Sequence, residues 1–381
     1  MKRLAYLVAG AIVFGAGPAS AEMETRIIGD ARGGVYVGRT DNRDGTETKV
    51  EDVRARLRVG LNTQFSSQWQ STVRFAGHYD DEMEEMHFSF LTTNESRPFG
   101  QSTFDMFNVQ YTPSTNLEIT VGRMQTKFEL IGVAKKSLDR NDSPNVDIDF
   151  TDGLHASYAF ESGWKTHLIL QRNPDIARSE LGVAPNVVRG PLDFTEDNSR
   201  VTTFIALENN TRSGSVVQRG IDLTIIPEAL LVTGSATGSR ENYLALVART
   251  ALGWPLGTGK QQFLMGAEIG YAPNTHMASV VNLPGSGDVR GYAWQTSLNL
   301  VEFAPGQSVA LVWGEAQAGW LISPDFRENE RLVELRHRYI ITRKLSVESR
   351  IRQRQELEQL TTAIRKRDAQ DLYVRLSYKF H

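Results

Sequence analysis

Residues 372–380 read Leu-Tyr-Val-Arg-Leu-Ser-Tyr-Lys-Phe and stand just before the final residue, His381. Apolar side chains occupy every second position, and the positions between them are mostly charged or polar. Because a β-strand points successive side chains to opposite faces, the stretch predicts a strand with one wholly apolar face. Such a face packs on a second layer in a soluble sheet and faces lipid in a membrane barrel. How often the pattern recurs decides between the two.

Fifteen further segments show the same alternation. The clearest is 53–65, in which Val53, Leu57 and Leu61 share one face and three arginines lie on the other. This recurrence predicts an all-β chain. The segments are 26–38, 53–65, 69–79, 104–112, 117–126, 153–160, 164–172, 200–208, 215–226, 243–254, 261–271, 290–301, 307–317, 331–342, 345–355 and 370–380.

The connections between these segments alternate in length. Seven are short turns, such as 66–68, and eight are longer and more polar, such as 39–52 and 227–242. Sixteen antiparallel strands require this arrangement when both chain ends lie on the same side of the membrane. We therefore predict a transmembrane antiparallel β-barrel of about 16 strands, with short periplasmic turns and long outer loops. A different division of residues 215–242 would give 14 or 18 strands.

The N-terminus has the features of a secretory signal. Two basic residues precede an apolar run of 13 residues, 4–16, and Ala19-Ser20-Ala21 fits the small-residue cleavage pattern. The run is too short to cross a bilayer as a helix, which needs about 20 residues. We predict a signal peptide over 1–21 and one barrel domain over 22–381, because no linker or repeat divides the remainder. The first strand begins too early for a plug domain to precede it.

The composition excludes several classes of function. The absence of cysteine excludes thiol catalysis, cysteine metal sites and a lipid anchor on an N-terminal cysteine. Without the two basic residues of the signal, 40 basic residues face 45 acidic ones, which gives no support to nucleic-acid binding. The chain has no Gly-x-Ser-x-Gly motif and no clustered Asp/His pair on an outer loop, so we expect no enzyme. We expect no cofactor.

Basic residues are concentrated on the inward faces of a few strands. Strands 14, 15, 16, 1, 2 and 3 become neighbours when the barrel closes, so their inward side chains should form one basic wall, tempered by Glu334 and Glu348. A water-filled pore tolerates rows of arginine because water and counter-ions screen them. The predicted basic wall comprises Arg54, Arg56, Arg58, Arg74, Arg336, Arg338, Arg350, Arg352, Arg354, Arg375 and Lys379.

The same register turns His337 toward lipid, although a histidine in mid-strand is costly there. We expect it either to lie at a subunit interface or to be redirected by a bulge.

In strand count and loop order the chain resembles the general bacterial porins, and its last strand ends on an aromatic residue as theirs do. It departs from them in that His381 follows Phe380. In these porins the loop after strand 5 folds into the barrel, and its acids face an arginine cluster. The resemblance implies the same for residues 127–152, with Asp142, Asp147 and Asp149 as the constriction acids. The alternative is that this loop lies outside as a solvated cap.

The loop acids could also suggest calcium, but their spacing is not that of an EF-hand, so no metal site is expected. The resemblance instead implies a passive diffusion channel of the bacterial outer membrane, with lipid or lipopolysaccharide around it, small polar or anionic solutes inside it, and a homotrimeric assembly. The basic wall favours anions, because charged rings set ion preference in pores. Two alternatives stay open: a substrate-specific channel for phosphate or acidic oligosaccharides, and a non-conducting structural or adhesion barrel.

Overall fold

A computed structural model describes residues 23–81, 87–88, 101–142, 148–173, 191–192, 200–233 and 240–380. Sixteen antiparallel strands in these residues form one closed sheet, because β1 pairs with both β2 and β16. Strands β1 to β16 are Glu24–Asp41, Glu47–Gln64, Trp69–Asp80, Gln101–Ser114, Leu117–Met124, Thr151–Ala159, Lys165–Asn173, Arg200–Asn209, Val216–Leu231, Arg240–Pro255, Gln262–Tyr271, Tyr292–Ala304, Gln307–Ala316, Glu330–Ile340, Leu345–Glu356 and Asp368–Lys379.

The predicted fold class and strand count are confirmed, and the predicted signal peptide lies outside the described residues. A two-residue strand, His87–Phe88, additionally pairs in parallel with the start of β4. The 3-10 helix Ala278–Val281 is the one helical element in the described part of the chain. No helix among the described residues is long and apolar enough to cross a membrane.

Strand β2 shows how the alternation is used. Leu57 and Leu61 are 47% and 50% exposed on the outer face, whereas Arg56 and Arg58 are 2% and 5% exposed on the inner face. Because the period of a strand is two, a slip of one residue would turn every arginine outward, so this pattern fixes the register. The barrel is therefore apolar outside and polar inside.

The fifteen connections between the sixteen strands divide into a turn end, which also holds the first and last described residues, and a loop end. Two predicted long loops are shorter than expected. Residues 39–52 contribute only 42–46 to a connection, and 227–242 only 232–239, because the flanking strands continue past the apolar band. The 42–46 turn is closed by Asn42 N, which donates to Thr46 O at 2.8 Å, and by Gly45 at φ +88°. A polar strand in water carries no alternation, so the sequence pattern could not reveal it.

Two loops fold into the barrel interior. We call residues 125–142 and 148–150 the inner loop and residues 317–329 the second loop. Trp320 of the second loop is fully buried, and its Nε1 donates to Leu138 O of the inner loop at 3.0 Å. A Cβ on Gly270 of β11 would lie 2.5 Å from the Trp320 ring, so the ring fits against the barrel wall because this residue has no side chain. Both loops pack on the inner faces of β9 to β14 as a hydrophobic core.

Candidate functional site: the lumen

All eleven predicted wall residues lie on the inward faces of β14, β15, β16, β2 and β3, which the closed sheet brings together around β1. Arg56, Arg58 and Arg375 are buried, whereas Lys379 is exposed at the turn end. The basic wall is thus contiguous around β1, and at the loop end it meets the second loop, where Arg354 Nη2 donates to Asp325 O at 2.8 Å.

Carboxylates inside the basic wall pair with its arginines, and the sequence analysis recognised only two of them. Asp30 of β1 accepts from Arg58 Nε at 2.9 Å and lies 3.3 Å from an Arg56 nitrogen. Asp105 of β4 accepts two hydrogen bonds of 2.8 Å from Arg74. These acids occur singly within strands, so no cluster in the sequence marks them. Their position opposite arginine appears only with the strand register.

Asp371 of β16 also belongs to this network. Its two oxygens accept from Arg350 and Arg352 at 2.7 Å each. Glu348 similarly lies 3.2 Å from Arg336 and 2.6 Å from Arg375. Each carboxylate therefore serves two or more arginines. Because cations outnumber the acids that they share, the basic wall keeps a positive excess.

The inner loop folds into the barrel and is bound to the wall opposite the basic wall. Ile131 N donates to Gln218 Oε1 of β9 at 2.9 Å, and Val133 N donates to Asn299 Oδ1 of β12 at 2.8 Å. Leu138 N donates to Glu268 Oε2 of β11 at 3.0 Å. Backbone groups of the loop are thereby satisfied by inward polar side chains rather than by water. Residues 125–142 therefore do not form the solvated cap outside the barrel that was the alternative prediction.

The described structure covers two of the three predicted constriction acids, Asp142 and Asp149. Asp142 Oδ2 accepts from Thr126 N at 2.8 Å and from the hydroxyls of Thr126 and Thr151 at 2.7 Å each, so this carboxylate closes the neck of the loop. Asp149 is also buried. Asp147 lies outside the described residues. The resemblance to porins indicated a loop that folds inward, but it could not show how its individual side chains are buried.

The inner loop instead presents lysines. Lys127 and Lys135 are exposed, and Lys135 Nζ lies 3.0 Å from Glu129 Oε1. Partial burial lowers the pKa of Lys127, and the cations Lys135, Arg58 and Arg32 lower it further, while Glu129 acts in the opposite direction. Arg58 of the basic wall and Arg32 of β1 are thus close enough to act on the charge of Lys127.

A buried ion cluster fixes the inner loop at its far side. Arg249 of β10 lies among three carboxylates: its Nε donates to Glu268 at 2.8 Å, one Nη lies 3.2 Å from Asp139 of the loop, and the same Nη contacts Asp222 of β9. The side chains of all four residues are at most 1% exposed. Burial strengthens such contacts, and it also makes the loss of either partner costly.

The open part of the lumen widens toward the turn end into a cavity of about 500 Å³. Its lining includes the polar side chains Asn62, Gln70, Glu118 and His155 of β2, β3, β5 and β6.

No group of three or more potential metal ligands occurs among the described residues. His337 faces outward with no bulge, near the turn end, where its Nε2 is 3.3 Å from Gln307 Oε1 and its ring lies 6.3 Å from that of Phe303. This position at the aromatic rim reduces the burial cost that its register implied.

No protein-family profile matches the chain, and no curated protein matches it. Its fold is similar to several solved structures. The high-pH structure of OprB from Pseudomonas putida aligns with a TM-score of 0.63 at 8% identity, over 93% of this chain and 94% of that one. The outer-membrane channel DcaP of Acinetobacter baumannii gives 0.56 at 10% identity, over 96% and 100%. The anion-selective porin from Comamonas acidovorans gives 0.54 at 10% identity, over 94% and 100%. The chain therefore has the fold of the outer-membrane porins, as a closed barrel of 16 strands.

Proposed function

We propose that this protein is a passive diffusion channel of the bacterial outer membrane for small hydrophilic solutes, with a preference for anions. One observation carries the proposal: basic side chains point into the barrel along one contiguous stretch of its wall, and the inner loop exposes two more, Lys127 and Lys135. An excess of cations along a pore raises the local concentration of anions and repels cations. The fold of a porin known as anion-selective agrees with this proposal.

Passive transport follows from the same geometry. The inner loop and the second loop set the width of the pore, and the basic wall orients and sorts charged solutes. No step requires a cofactor or an energy source, and we propose no enzymatic activity. Lipid would cover the apolar outer face, where Leu57, Leu61 and Leu376 are exposed in a single chain. We also propose a homotrimer, which mass measurement of the detergent-extracted protein would test.

The decisive experiment is the reversal potential of refolded protein in a planar bilayer under a KCl gradient. We expect a potential of the sign that anion selectivity produces. Potential of the opposite sign would refute the anion preference. Correctly folded protein that passes no current would refute the channel itself and favour a structural barrel.

A further inference from the structure

The cavity at the turn end differs from the rest of the basic wall in the charge of its lining. Among its described lining residues, Asp30 and Glu118 contribute two acids, and Arg74 and Lys379 contribute two bases. Asp30 and Arg74 are moreover already engaged in ion pairs with other residues of the wall. Charge alone therefore gives this cavity no preference for either sign, and its uncharged polar groups become the features that a solute meets.

Polar side chains cross the wall of the cavity in a row. Four consecutive register partners point inward and line it: Gln70 of β3, Gln110 of β4, Thr120 of β5 and His155 of β6. Because neighbouring strands lie about 4.8 Å apart, the row offers a hydrogen-bonding group at about that interval over about 14 Å. Such a row suits a solute that carries several hydrogen-bonding groups in succession.

The amides of this region use only part of their bonding capacity. Gln70 Nε2 donates to Gln110 Oε1 at 3.4 Å, and Asn62 Nδ2 of β2 donates to Thr72 Oγ1 at 2.8 Å. An amide has two N–H donors and an oxygen that accepts two hydrogen bonds. The Asn62 and Gln70 oxygens and the Gln110 nitrogen make no hydrogen bond to any other described residue, and all three side chains are only half-buried. These atoms are therefore open to a solute in the cavity.

Apolar side chains complete the lining. Ile28 of β1, Met106 of β4 and Met124 of β5 border the same cavity. Methionine side chains are flexible and adapt to irregular apolar surfaces. A sugar ring presents C–H groups on its faces and hydroxyls around its edge, so it matches both kinds of lining.

We propose that this cavity is a binding site for neutral polyols of about the size of a monosaccharide, whose hydroxyls bond to Asn62, Gln70 and Gln110. A hydroxyl both donates and accepts hydrogen bonds, as a free amide does. The volume of about 500 Å³ lies within the range of about 300–1,000 Å³ of small-molecule sites. The inference rests on the proposed channel function and adds to it a class of solute that the basic wall does not sort by charge.

Block of the ion current tests the site. KCl current through refolded protein is measured in a planar bilayer with increasing glucose, and each value is corrected for the conductivity of the bulk solution. Triethylene glycol, a neutral solute of similar mass with only two hydroxyls, is the matched control. We expect saturable block by glucose and no corrected block by triethylene glycol. Equal block by both solutes, or no block by glucose, would overturn the site.

Variants of the row locate the binding. Gln70→Met and Gln110→Met each remove an amide at nearly unchanged length, and each should raise the glucose concentration at half block by about threefold to tenfold, as expected for the loss of neutral hydrogen bonds. Gln353→Met, on the exposed outer face of β15, is the matched control and should behave as wild type. Heat-modifiable migration on a gel shows that each variant is folded. Unchanged glucose block in the double variant Gln70→Met, Gln110→Met would refute the site.

The reversal potential separates this site from the sorting of ions. None of these variants changes a charge, so each should keep the reversal potential of wild type. A double variant that changes ion selectivity along with glucose block would assign the row to ion permeation and overturn the assignment to neutral polyols.

The site and the channel fail separately. Current without glucose block would leave the channel standing and refute the site. If folded protein passes no current, the channel is refuted, and glucose binding is then measured by saturation-transfer NMR with protein refolded in a detergent that has no sugar head group. Saturation transfer that the double variant loses would support the site without the channel, and equal transfer in wild type and double variant would refute it.

Discussion

Replacing Arg249 by glutamine should release the inner loop from the barrel wall and widen the pore. In the native chain this guanidinium contacts one carboxylate of the loop, Asp139, and two of the wall, Asp222 and Glu268. Glutamine is shorter and uncharged, so it leaves three acids without a counter-charge in a buried space. Their mutual repulsion then acts between the loop and the strands.

Breaking a buried charge network by removing one partner costs about 3–5 kcal/mol. If this cost falls on docking of the loop, the ratio of docked to released loop falls between about a hundredfold and a few thousandfold. The Leu138 N to Glu268 hydrogen bond and the Trp320 contact still oppose release. The barrel ladders do not involve Arg249 beyond its own backbone, so the fold should persist.

Single-channel recording measures the effect. We expect Arg249→Gln to give a larger and noisier conductance together with a lower melting temperature, while heat-modifiable migration on a gel shows that the barrel is intact. Arg219→Gln, on the outer face of β9, is the control and should leave conductance unchanged. The double variant Arg249→Gln, Asp139→Asn removes one repelling charge and should recover part of the native conductance. Native conductance and melting in Arg249→Gln would refute the reasoning.

Three further predictions follow from the loops. Trp320→Ala should lower the free energy of unfolding by about 3–5 kcal/mol, because it leaves a cavity and frees Leu138 O, as denaturant titration would measure; native stability would contradict the packing described. Reversing both exposed lysines, Lys127→Glu with Lys135→Glu, should move the reversal potential toward cation selectivity, and no shift would show that they do not face the pore. Burial lowers the pKa of His276, in the loop between β11 and β12, to about 4, so stability should fall as pH drops from about 6.5 toward 4 because the unfolded chain binds the proton first. The difference in melting temperature between pH 7 and pH 4.5 should shrink in His276→Gln, and an unchanged difference would contradict this.

The barrel was predictable because strand alternation is local. Each of the sixteen segments carries its own period of two, and the short turns between them fix the pairing of neighbours. Residues 39–41 and 47–51 escaped the pattern because these strand ends have no buried residue on either face and need no apolar positions. Strand boundaries beyond the apolar band are therefore invisible to this kind of reasoning.

The site was predictable only in part. The inward direction of the arginines of the basic wall was predictable, because they alternate with apolar residues that face outward. The pairing of Asp30 with Arg56 and Arg58 depends on which strands meet at closure, and the burial of Asp142 depends on how the inner loop folds. The second loop was overlooked as a polar connection, although Trp320-Leu321-Ile322 is an apolar run that a solvated loop would not carry.

Because a packed core lies inside the barrel, the width of the pore is independent of the circumference of the barrel. In an empty barrel the circumference would determine the pore width. The number of strands and the hydrogen bonds between them set the circumference. The pore width depends on how far the inner loop and the second loop extend from the wall. Side chains such as Trp320 and Phe326, which touch no solute, therefore determine the bore. Substitutions in the two loops can therefore change the width of the pore while the strands of the barrel stay the same.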